Sequence, residues 1–195
     1  MTSADTWCPK CDRILEANGT HALTCAAGGD RVLRHNPLRK YLHDFIRRAG
    51  LRVEVEESGL LPDDPLRRPG DLFLPSWPAG TPTALDFAVT SPQHLDPQLQ
   101  QEAAKKCLAA AKAYEKKKFE DRNTQDKCAR EGITLVPLIA ETLGGWGPMA
   151  TDFFRRLVHW CRANQASHRE IQKTYFSQKS MKNAIHKCKC FACQK

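Results

Sequence analysis

The apolar positions fall into segments of different period. Leu38, Leu42, Phe45 and Ile46 recur at helical spacing and predict a helix that opens at Asn36-Pro37 and stops at Gly50. Residues 51–56 alternate apolar and polar side chains, as a half-buried strand does. Gly59, Pro62, Pro65 and Pro69 make residues 58–69 a loop. A short strand over 71–75 and a more apolar one over 83–89 flank a turn at Pro78-Ala79-Gly80, which predicts an antiparallel meander of three strands. The Ala- and Lys-rich stretch 96–130 predicts one long helix, or two joined near Asn123. Residues 133–139 form a further buried strand, placed at the far side of the sheet after the helical crossover. The run Gly144-Gly145-Trp146-Gly147-Pro148 breaks the chain before an amphipathic helix over 149–163, and 167–187 also has a helical pattern. The fold expected is α/β (or α+β), a central mixed sheet flanked by helices. Its core would span 31–165, between a small N-terminal unit at 1–30 and a basic helical tail at 166–195.

Charge narrows the partners. The chain has 195 residues, of which 30 are Lys or Arg and 22 Asp or Glu, for a net charge of +8 and a pI near 9.1. A basic surplus favours polyanions, because each cation set beside a phosphate releases a condensed counterion. No run approaches the ~20 apolar residues that a membrane helix needs. The first ten residues hold no apolar run, so no secretory signal is expected. Nine cysteines without such a signal read as metal ligands or buried thiols in a reducing compartment, nucleus or cytoplasm.

Four of the metal-ligating residues have the spacing of a zinc knuckle. Cys8-Pro-Lys-Cys11 is followed by His21-Ala-Leu-Thr-Cys25, or C-x2-C-x9-H-x3-C. The C-x2-C turn offers two thiolates pointing one way, and the second pair closes a tetrahedron with no open position, so the zinc would be structural. Leu15 and Leu23 are expected to pack beside it. His186, Cys188, Cys190 and Cys193 crowd the C-terminus without a matching pair, so a second zinc or a loose basic tail both fit. Cys107, Cys128 and Cys161 lie on helical patterns and read as small core residues.

Two aspartates are placed for chemistry. Asp71 opens one strand of the presumed hairpin, and Asp86 lies in the other among Leu85, Phe87 and Val89. A turn centred near Ala79 sets them nearly opposite each other. Adjacent carboxylates repel and call for a cation between them, and Mg²⁺ or Mn²⁺ is the hard, oxygen-seeking choice. Glu56 would add a third oxygen. The pattern equally allows Asp71 to cap a turn and Asp86 to pair with Arg67 or Arg68.

Together these residues resemble the PD-(D/E)XK nuclease superfamily, specifically the restriction-like endonuclease domain of non-LTR retrotransposons. The resemblance covers roughly residues 8–150. It rests on the Cys-Cys-His-Cys knuckle, Arg34-His35-Asn36, Pro69-Gly70-Asp71, the run Leu85-Asp86-Phe87-Ala88-Val89-Thr90, and Gly145-Trp146. It implies an αβββαβ core and Mg²⁺- or Mn²⁺-dependent cleavage of DNA. Two departures stand out: Gly70 separates the signature Pro and Asp, and Ala88 stands where the superfamily lysine does. The retrotransposon branch often takes that lysine from the following helix. Lys105, Lys106, Lys112 and Lys118 are the candidates. Tyr114 and Lys118, at i and i+4, match the branch's pattern best, with Lys112 next. Such a lysine would position or deprotonate the attacking water and steady the phosphate.

Arg34, His35 and Lys40 near the knuckle, and Lys173 and Lys179 in the acid-free tail, are the expected nucleic-acid contacts. The resemblance would make the chain a nicking or cutting endodeoxyribonuclease, with a reverse-transcriptase module of the parent element as a partner. The alternative is an inactive, zinc-stabilised domain that binds DNA or RNA, and Ala88 motivates it.

Overall fold

The computed structural model describes residues 5–17, 21, 25, 30–77, 80–93, 96–142 and 144–164, and the side chains of residues 30–34 are not among what it describes. The 167–187 helix, Lys173, Lys179 and the C-terminal Cys/His group therefore lie outside the described residues.

Two short strands, β1 (Thr6–Trp7) and β2 (Ile14–Leu15), pair antiparallel near the N-terminus. Helix α1 runs over Asp30–Arg48, and β3 (Glu54–Val55), β4 (Leu72–Leu74) and β5 (Thr83–Thr90) follow. Helices α2 (Pro97–Lys105), α3 (Ala109–Glu120) and α4 (Thr124–Arg130) cross to β6 (Thr134–Glu141), and α5 (Pro148–Ala163) closes the described fold. The main sheet has the order β3-β4-β5-β6. Its first two pairings are antiparallel, and β5–β6 is parallel, as the helical crossover requires. This mixed α/β architecture, a central sheet flanked by helices, is broadly consistent with a restriction-endonuclease-like fold. No helix among the described residues is long and apolar enough to cross a membrane.

Strand parity explains the layers. Leu72, Leu74, Leu85, Phe87, Leu138 and Ala140 face one way and pack with Leu38, Leu42 and Ile46 of α1 and Phe153, Phe154 and Leu157 of α5. The alternate positions Ala84 and Ala88 face the other way, toward Cys128 of α4 and Ala111 of α3. Asp86 lies between these two alanines in sequence and shares their face.

Several boundaries differ from expectation. Helix α1 begins at Asp30, not Asn36, and carries Pro37 inside it, while Gly50 ends it at φ +79° as foreseen. Ladder pairing in the first meander strand is confined to two residues, because Glu56 takes a left-handed φ of +49° and turns the chain away. The 96–130 stretch breaks twice. Leu108 (φ +62°) separates α2 from α3, and Arg122 and Asn123 (φ +50° and +53°) separate α3 from α4. Cys128 and Cys161 are buried, but Cys107 sits exposed at the first of these breaks and is not a core residue.

Gly70 explains the residue between Pro69 and Asp71. A Cβ there would stand 2.7 Å from the Leu85 carbonyl oxygen and 3.0 Å from the Leu85 nitrogen, both backbone. Gly70→Ala should therefore push Asp71 off β5 and cost about 1–3 kcal/mol, as overpacking does. Denaturant midpoints would show it, and an unchanged midpoint would refute the close approach.

Candidate functional site

The register Leu72↔Leu85 places Asp71 across from Asp86. The Asp71 N–H donates to the Leu85 carbonyl at 2.8 Å, and the Phe87 N–H donates to Asp71 Oδ2 at 2.7 Å. His35 Nε2 lies 3.1 Å from the same Oδ2, which leaves Asp71 Oδ1 without a partner among the described residues. The hydrogen bond to Asp71 raises the His35 pKa against the opposing effect of burial. His35, expected to touch phosphate, thus faces a carboxylate instead.

Lys118 reaches across from α3. Its Nζ lies 2.9 Å from Asp86 Oδ1 and 2.7 Å from Oδ2. Burial pushes the Asp86 carboxyl up; Lys118 counteracts this, and the negative charge of Asp71 adds to it. Burial alone would lower the Lys118 ammonium, but Asp86 outweighs it and holds the pKa above its ordinary value. Ala88 of β5 belongs to a buried cluster with Ala111 of α3, against which Tyr114 packs. The Tyr114 ring centroid is 6.0 Å from Lys118 Nζ. Lys112 is exposed on α3, and neither it, Lys105 nor Lys106 lines the cavity described next.

Asp71, Asp86 and Lys118 share a cavity of about 290 Å³ with Glu56, Arg67, Arg68, Asp121 and Thr124. The expected partners of the acids are redistributed. Arg39 and Arg68 take one oxygen each of Glu56, and Arg67 turns to Asp121 and Thr124. Neither arginine pairs with Asp86. Glu56, Asp71 and Asp86 do not converge as a trio of close ligand atoms, in contrast to the N-terminal cluster. Both Asp86 oxygens are held by Lys118, and Glu56 is held by its arginines. Lys40 is largely exposed beside Asp44, and the Arg34 side chain lies outside those described.

The ligand atoms of Cys8, Cys11, His21 and Cys25 lie within 4.8 Å of one another. Cys11 Sγ is 3.1 Å from His21 Nε2 and 3.9 Å from Cys25 Sγ. Tetrahedral zinc with ~2.3 Å Zn–S bonds requires S···S edges of about 3.8 Å. A backbone hydrogen bond at Lys10 lowers Cys8 to about 6, which favours its thiolate, while burial raises Cys11. His21 and Cys25 are buried and Leu15 is half-buried, while Leu23 lies outside the described residues. Geometry and donor set suit a structural zinc.

Sequence reasoning named Arg67 only as a possible partner of Asp86; its actual partners, Asp121 and Thr124, gave no local signal because they lie more than fifty residues away. Compared with known families and with curated proteins, the chain matches no family model and no curated sequence.

Proposed function

We propose that the chain is a zinc-stabilised nucleic-acid-binding domain built on a nuclease-like fold. The Cys8–Cys11–His21–Cys25 cluster carries this reading, together with the mixed sheet and the net charge of +8. DNA is the first partner to test and RNA the second.

One observation favours a further, catalytic reading: Asp71, Asp86 and Lys118 meet in one cavity from three separate elements. In that reading Asp71 and Asp86 hold Mg²⁺ or Mn²⁺, which when bound supplies a lowered water pKa and neutralises charge on the phosphate. Lys118 Nζ donates a hydrogen bond to a phosphate oxygen or to the attacking water. His35 fixes the Asp71 carboxylate by its bond to Oδ2. Tyr114 packs beside the lysine. This is phosphodiester hydrolysis in the manner of the non-LTR retrotransposon endonucleases, with Glu56 as a brace for the arginines.

The two readings part on supercoiled plasmid. Relaxation that requires Mg²⁺ and disappears in Lys118→Ala supports catalysis. Salt-sensitive binding without relaxation leaves the binding domain alone. Absence of binding to either DNA or RNA removes both.

A further inference from the structure

Arg67 is a cation the proposed chemistry has not used. Its side chain is only 13% exposed, yet its single carboxylate partner, Asp121, is largely exposed and 3.4 Å away. Its Nη2 also donates to the Asp121 carbonyl at 3.3 Å and to the Thr124 hydroxyl. Its Nε is shielded from solvent and has no acceptor among the described residues. Burying a guanidinium with donors unsatisfied is costly, and Arg67 lines the same cavity as Asp71, Asp86 and Lys118. Its tether is built: Nη2 is pinned to the kink between α3 and α4, where two successive non-glycine residues sit at positive φ. A planar fork held this way suits an anion with several acceptor oxygens.

We propose that Arg67 grips the phosphodiester that enters this cavity, with the donors that Asp121 and Thr124 leave unspent. The proposal rests on the nucleic-acid reading above and adds a residue that touches the substrate. The occupant is a backbone phosphate of duplex DNA.

The test uses fluorescence anisotropy on the whole chain with a duplex oligonucleotide in Ca²⁺, over a series of salt concentrations. Arg67→Gln should weaken binding roughly tenfold and lower the slope of log affinity against log salt by about 1, the signature of one lost phosphate contact. Arg67→Lys should keep the slope and lose part of the affinity. An unchanged slope in Arg67→Gln, with folding intact, overturns the proposal and leaves Arg67 a strut between loop and helix. If Arg67→Gln does not fold, the wild-type chain still decides. The arginine Nε–H resonance assigned to Arg67 must shift when the duplex is added, and a stationary resonance overturns the proposal. A wild-type chain that binds no duplex DNA brings down this proposal, and one that binds no RNA either brings down the nucleic-acid reading as well. Binding with an indifferent Arg67 brings down this proposal alone.

Discussion

Asp86→Asn should bind duplex DNA more tightly than the parent chain in EDTA and, on the catalytic reading, lose divalent-dependent nicking by a factor on the order of 10²–10³. The first half follows from counting charges. The cavity is lined by four carboxylates, Glu56, Asp71, Asp86 and Asp121, against three cations, Arg67, Arg68 and Lys118, a formal balance of −1. This lining favours a phosphodiester less than it would beside a divalent cation, which brings the formal count to +1. Replacing Asp86 by Asn brings the balance to zero and removes one of the two oxygens that hold Lys118 Nζ. A unit charge about 6 Å away at an effective dielectric of ~20–40 is worth roughly 1.4–2.8 kcal/mol. Salt screening trims this, so the expected gain in affinity is about three- to tenfold.

The same substitution should flatten the response to Ca²⁺. The parent chain is expected to bind several-fold tighter with Ca²⁺ than in EDTA, and Asp86→Asn nearly equally in both. The isosteric amide still accepts a hydrogen bond from Lys118, so the melting temperature checks that folding survives the loss of a partly buried ion pair. If Asp86→Asn binds more weakly in EDTA at an unchanged melting temperature, the charge argument is wrong. If it nicks as well as the parent, Asp86 holds no catalytic metal.

The opposed aspartates were legible because strand parity and a turn near Gly80 determine who faces whom, and both are local properties of the chain. Lys118 was legible because i, i+4 spacing on a helix tells which side chains share a face with Tyr114. The surroundings of Glu56 were not legible, for the opposite reason. Its left-handed φ of +49° and its two arginine partners come from α1 and the 57–70 loop, and no local pattern announces either. Helix α1 outran the Pro37 signal because a proline forfeits one hydrogen bond, a loss that the packing of Leu38, Leu42 and Ile46 offsets. The buried Glu115 had no sequence signature either. It is mid-helix in α3, and its Oε1 accepts from the Met149 N–H at 3.0 Å at the start of α5. A Cβ at Gly147 would collide with it, so that glycine is fixed by a side chain thirty-two positions earlier.

Removing zinc should melt the N-terminal unit and leave the sheet domain standing. Strands β1 and β2 have two residues each, and an isolated two-stranded hairpin is marginal in water. Its largest apolar side chains add little, since Trp7 is 72% exposed and Ile14 50%. Beyond a few hydrogen bonds, such as those of the Ala17 N–H to Asp5 and the His21 N–H to Glu16, the described part of this unit is held by the four-ligand cluster, and structural zinc contributes about 10–16 kcal/mol in small peptide sites. Among the described residues, the main core, in contrast, draws no side chain from before Leu38. A strong chelator, or Cys25→Ser, is therefore expected to abolish amide-exchange protection in the N-terminal hairpin while the major thermal transition moves by only a few degrees. Metal analysis should return one zinc per chain fewer for the variant than for the parent. Retained hairpin protection after complete zinc removal would refute this account of the unit's stability. Collapse of both transitions together would instead show that the hairpin is an integral part of the sheet domain.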